Sequence, residues 1–97
     1  MKDLTHQDFS RVIDQLFTLK TAGVEMELKL IEVQPYRGEV PDYVARHPFS
    51  LQFAGPAGNV MPQATYRLEH PGMGALDVFL VPIGANRDRV LYEAIFS

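Results

Sequence analysis

Three histidines, His6, His47 and His70, carry most of the chemistry that this chain could perform, and they lie far apart in sequence. None stands at the i, i+4 spacing that puts two imidazoles on one face of a zinc-binding helix. His47 and His70 each precede a proline, which biases them to extended backbone and to the ends of strands. A nucleophile needs a serine or cysteine on a strained turn with a base in reach. The chain has no cysteine, and Ser10, Ser50 and Ser97 stand on a helix, a strand and the terminus. None of them has the glycines of a nucleophile elbow around it. Gly72 and Gly74 are spaced like part of a phosphate cradle, but they join two strands, whereas dinucleotide binding needs a strand-to-helix turn. Glu25 and Glu27 share a strand face with Lys29 and read as a solvated surface. The sequence therefore points to no catalytic residues, no metal site and no cofactor.

Charge and composition narrow the partners. The nine basic residues are dispersed against twelve acidic ones, for a net charge of −3. Nucleic-acid binding draws on a basic stripe that displaces counterions from phosphate, and no such run exists. No apolar stretch approaches a bilayer span or a signal-peptide core, so a soluble, cytoplasmic protein is the default expectation, with export by a signal-free route left open. The absence of cysteine excludes a disulfide framework. The chain has 97 residues, of which 46% are apolar and 22% charged. One globular domain over residues 1–97 is expected.

The elements that must hold these residues are legible from periodicity. Thr5 and Asp8 have capping-box spacing, and Phe9, Val12, Ile13 and Leu16 recur at helical period; together they predict a helix from about His6 to Asp14. The period then drops to two. Phe17 and Leu19 form a short strand before the turn Thr21-Ala22-Gly23, and Val24, Met26, Leu28 and Leu30 alternate with polar residues in the next. The adjacent apolar pair Leu30-Ile31 breaks that alternation and predicts a bulge or a strand crossing. Further strands are expected at Phe49–Phe53, Thr65–Glu69, Leu76–Val81 and Val90–Phe96, with Pro71-Gly72-Met73-Gly74 the strongest turn signal. The fold class is mainly β (α+β): a short N-terminal helix packed on about six antiparallel strands in meander order, as a small sandwich or partly open barrel.

The last two strands are apolar on both faces. Leu76, Val78 and Leu80 line one side, and Phe79 and Val81 line the other; Leu91 and Ile95 do the same in the final strand. Sheets of this kind are covered on both sides. The simplest cover is the helix, through Phe9, Val12 and Ile13; otherwise Phe79, Val81, Leu91 and Ile95 form a patch for a partner or a second copy. The loop from Pro35 to His47 offers another surface through Tyr36 and Tyr43, unless both tyrosines close over the core.

Motifs along nearly the whole chain resemble those of a bacterial family, domain of unknown function 6916. They are Leu4-Thr5-His6 with Asp8-Phe9, Pro48-Phe49-Ser50-Leu51 with Phe53 and Gly55-Pro56, then Pro62-Gln63 and Thr65-Tyr66-Arg67-Leu68-Glu69-His70. Phe79-Leu80-Val81-Pro82-Ile83-Gly84 and Tyr92-Glu93-Ala94 complete them; Ala64 stands where glycine is expected, and Ser97 where asparagine is. The resemblance implies no activity, but members of the family are sometimes encoded near genes for phage-tail-like, tail-collar fibre proteins, which implies a link to such structures by gene neighbourhood alone. Among the matching residues, the polar Gln63, Glu69, His70 and Glu93 either bond loop backbone or line a small shared site. The function expected is a non-catalytic protein-interaction or assembly-accessory module, with protein partners or self-association and no membrane or nucleic acid. The alternative is a small-ligand-binding β-barrel, and a hydrolase-like site using His70 with Glu69 or Glu93 ranks below both.

Overall fold

A computed structural model describes residues 4–39 and 48–96. Six antiparallel strands, β1 (Leu16–Thr21), β2 (Val24–Pro35), β3 (Phe49–Pro56), β4 (Ala64–His70), β5 (Gly74–Ala85) and β6 (Arg89–Phe96), follow one helix, α1 (His6–Ser10). The strands close into a barrel in the order β1-β2-β3-β6-β5-β4. Each half, β1-β2-β3 and β4-β5-β6, is a meander, and the halves join through β3–β6 and β1–β4. A closed barrel, rather than a sandwich, leaves few strand edges to protect.

Turn chemistry sets the registers. Ala22 and Gly23 have φ of 33° and 83° and join Thr21 to its partner Val24. Positive φ at both central residues is what a two-residue type I′ hairpin turn requires. The irregularity expected at Leu30-Ile31 is a bulge in β2, between Leu30 and Glu32. Asn86 holds the β5–β6 turn by accepting the backbone N–H groups of Asp88 and Arg89 on its Oδ1, a common use of asparagine in turns.

Alternate residues point inward and fill the barrel: Phe17, Leu19, Leu28, Leu30, Leu51, Phe53, Leu68, Val78, Leu80, Val90 and Tyr92 are all buried. Barrel diameter scales with strand number, and even eight strands enclose little more than their own side chains, so a six-stranded barrel is filled largely by its own. Gly55 shows how tight the fit is. A Cβ there would stand 2.8 Å from Leu28 and 3.1 Å from the Tyr92 ring, so the bare backbone makes space for the tyrosine.

Both barrel ends are plugged. At one, Phe9 of α1 inserts among Phe17, Phe49 and Phe96, with ring centroids 6.5, 5.8 and 5.4 Å away. At the other, the β3–β4 connection must cross the opening, because β3 and β4 are not neighbours. Two tyrosines hold it there. The Tyr92 hydroxyl accepts the Met61 N–H at 2.9 Å and the Tyr66 hydroxyl donates to the Pro62 carbonyl, while Met61 itself is buried.

The helix departs from its expected length and place. Its capping box forms as the spacing predicts, with Thr5 and Asp8 each bonding the other's backbone. It ends at Ser10, however, not at Asp14. Asp14 adopts φ 68° and donates its N–H to the Leu30 carbonyl at 2.7 Å, which turns the chain out of the helix and into β1. The expectation that α1 covers the second face of β5 and β6 is also overturned: α1 closes the barrel end, and Ile13 is exposed.

Candidate functional site

With α1 at the barrel end, the outside of β5 and β6 is open. Phe79 is 49% exposed and Ile95 70%, Ile83 is exposed as well, and Val81 and Leu91 are half-buried. Side-chain alternation brings them to one surface. Val81 stands opposite Glu93, and Phe79 and Ile95 lie two residues further along on the same outward side. Ala54, paired with Leu91, carries the apolar surface onto β3.

The opposite wall of the barrel is charged. Lys20 of β1 meets Glu69 of β4 at 3.3 Å, and Arg67 of β4 meets Asp77 of β5 at 3.6 Å. Glu25, Glu27 and Lys29 of β2 are exposed beside them, as their alternation predicts. Exposed pairs of this kind contribute about 0–1 kcal/mol each. Their main effect is to make the exterior two-sided, solvated across β1, β2, β4 and the start of β5, and apolar from Phe79 to Ile83 of β5 and at Leu91 and Ile95 of β6.

The patch continues into a hollow of about 330 Å³ lined by Pro35, Tyr36, Arg37, Phe49, Glu93 and Ile95, among others. Tyr36 and the β6 face, which periodicity left as two separate surfaces, are therefore one. Tyr36 is 51% exposed, so it does not close over the core. Tyr43, the other tyrosine of that loop, lies outside the described residues, as does His47.

The polar residues do not gather into one site. Neighbours on a strand point to opposite sides. Glu69 accordingly faces out toward Lys20, while His70 faces in and is only 8% exposed. Both His70 nitrogens are engaged. Nδ1 accepts the Gly72 N–H at 3.0 Å, and Nε2 lies 2.7 Å from Gln15 Oε1. With Nδ1 accepting, the proton of the neutral ring sits on Nε2 and is donated to the glutamine. His70 thus ties the β4–β5 turn to the start of β1, and its ring packs 4.8 Å from that of Phe17. Glu93 belongs to the hollow beside Tyr36, and Gln63 is exposed on the β3–β4 connection. Among the described residues, no group of three or more histidines, cysteines and acids could hold a metal ion.

A family model described as Domain of unknown function (DUF6916) matches residues 4–96. The chain belongs to that family. The match takes in the capping box, the plugging Phe9, every strand and the exposed patch, so the whole barrel is the DUF6916 domain. No curated relative and no solved structure matches the chain. No helix among the described residues is long and apolar enough to cross a membrane.

Sequence reasoning offered the β5–β6 face as one of two readings and missed two features of the structure. The first is the hollow joining Tyr36 to Ile95, which depends on the pairing of β6 with β3. The second is the Tyr92 hydroxyl, whose role at the barrel end no sequence spacing signals.

Proposed function

We propose that this domain is a non-catalytic protein-interaction module that docks through the outer face of β5 and β6. The observation that carries this reading is the uncovered apolar row of Phe79, Ile83 and Ile95 on a barrel whose interior is already filled. Isolated exposed apolar residues are ordinary, but a contiguous set beside a hollow marks an interaction surface. An assembly-accessory role in a phage-tail-like or tail-collar fibre structure fits such a module, and it is the partner class to examine first. The small-ligand alternative draws no support from the interior, where Phe17, Phe53 and Tyr92 occupy the space a ligand would need.

The test is capture of partners from the native host on tagged protein, with Phe79→Ser as the comparison. Loss of a specific partner from a variant that keeps its circular dichroism and melting behaviour is the expected result. A variant that retains the partner, or that fails to fold, would show that this face is not the docking surface.

A further inference from the structure

Two of the six seams are only partly zipped: β1 and β4 pair at Thr18–Glu69 and Leu19–Leu68 alone, and the β5–β6 seam is half closed. Its ladder runs from Ala85–Val90 to Val81–Glu93 and stops there, with a bulge between Pro82 and Gly84. The remaining length of β5, from Gly74 to Leu80, pairs only with β4.

Ladder parity fixes which backbone groups this leaves open. The two-residue turn makes Thr21–Val24 a hydrogen-bonded pair, so Thr18 turns its N–H and C=O toward β4, opposite Glu69. His70, Leu68 and Tyr66 therefore turn theirs toward β5, where they meet Gly74, Leu76 and Val78. Ala75, Asp77 and Phe79 must then point their amides and carbonyls the other way, toward the open side. Ile95 of β6, two residues past Glu93, points into the same gap. None of these four has a ladder partner on that side among the described residues, and Ala75, Asp77, Phe79 and Ile95 are all exposed.

We infer that the open edge of β5, from Ala75 to Phe79, takes up an extended segment of a partner protein as an added β-strand. The inference rests on the interaction reading given above and names how the partner is held. Unpaired N–H and C=O groups at a two-residue repeat are complementary to an extended polypeptide backbone and to no other common ligand. Flanking side chains specify the occupant: apolar where it lies against Phe79 and Ile95, and basic where it passes the exposed Asp77 carboxylate, whose 3.6 Å pairing with the equally exposed Arg67 is weak. That carboxylate also disfavours a second copy. Antiparallel pairing of two β5 edges centred on this segment brings the two Asp77 residues opposite each other, and like charges so placed repel.

The probe is a synthetic, end-blocked peptide with valine or isoleucine alternating with lysine and threonine, titrated into amide-labelled protein and followed by NMR. The expected result is saturable shifts at the amides of Ala75, Asp77, Phe79 and Ile95. Methylating alternate backbone nitrogens of the peptide removes its donors but keeps its side chains, and this should weaken binding by about tenfold or more. Asp77→Pro deletes one donor on the open edge and none in the β4 ladder, and it should weaken binding similarly without unfolding the barrel. Absence of saturable shifts at these four amides, or equal binding of the methylated peptide, would overturn the inference. So would dimerisation of the protein that Asp77→Pro abolishes, since it assigns the edge to a second copy. Should Phe79→Ser lose the natural partner while Asp77→Pro keeps it, the face is used without the edge; the docking reading then stands and strand addition fails.

Discussion

Tyr66 is the residue at which burial has its clearest chemical consequence. Its hydroxyl lies part-buried at the barrel end and donates to the Pro62 carbonyl. Burial, and secondarily the neighbouring Tyr92, push its pKa above the ordinary 10.0. Ionisation would place a charge in a partly desolvated setting and remove the donated proton. The sign follows from linkage. Below the ordinary tyrosine pKa the phenol is protonated in both folded and unfolded chains, and its contribution to stability is fully present. Above it the unfolded chain releases the proton first, so stability falls as pH rises toward the folded-state pKa. Tyr66→Phe should therefore flatten the alkaline limb of a stability-against-pH profile from urea unfolding. At neutral pH it should cost about 1 kcal/mol for the lost hydrogen bond. An unchanged alkaline slope in the variant would show that Tyr66 does not drive the loss.

At the scale of elements, α1 is a plug with a cap, and its stability is borrowed from the barrel. A helix of five residues cannot sustain itself in water. The capping box fixes where it begins, and Phe9, fully buried among three phenylalanines, fixes where it sits. Phe9→Ala should cost about 3–5 kcal/mol, and hydrogen exchange at the amides of Asp8 and Val12 should accelerate more than exchange in β2 and β3. Uniform acceleration would mean that α1 and the barrel unfold as one unit. The same element shows how far periodicity reaches. Thr5, Asp8 and Phe9 are legible because capping and helical period are local. The helix end is not, because Asp14 leaves the helix to bond Leu30, sixteen residues away in sequence and adjacent only once β1 and β2 have paired. The bulge was legible from two adjacent apolar residues. The half-open β5–β6 seam was not, since Leu76 to Phe96 alternates as it would in a fully paired hairpin.

For the molecule as a whole, inside and outside follow from one period-two pattern, whereas closure depends on contacts between distant strands. Alternation assigns Phe53 to the interior and Phe79 to the exterior without any knowledge of strand order. It does not reveal that β3 pairs with β6 as its neighbour in the wall, so it could not choose between a sandwich and a barrel or join Tyr36 to Ile95. Closure has a consequence that alternation alone lacks: the interior is finite and already occupied. Phe53 is fully buried within it, its ring 5.5 Å from that of Phe17 and its strand position opposite Tyr92. Phe53→Ala should cost about 3–5 kcal/mol, a large part of the roughly 5–15 kcal/mol that holds a domain of this size together. Because the surrounding side chains relax only partly, the deletion should also leave an apolar cavity able to take a small aromatic molecule. Benzene should then raise the melting temperature of Phe53→Ala while leaving that of the parent chain unchanged. Stabilisation of the parent protein itself would show that the interior has room to spare, and would return the barrel to the class of small-ligand carriers.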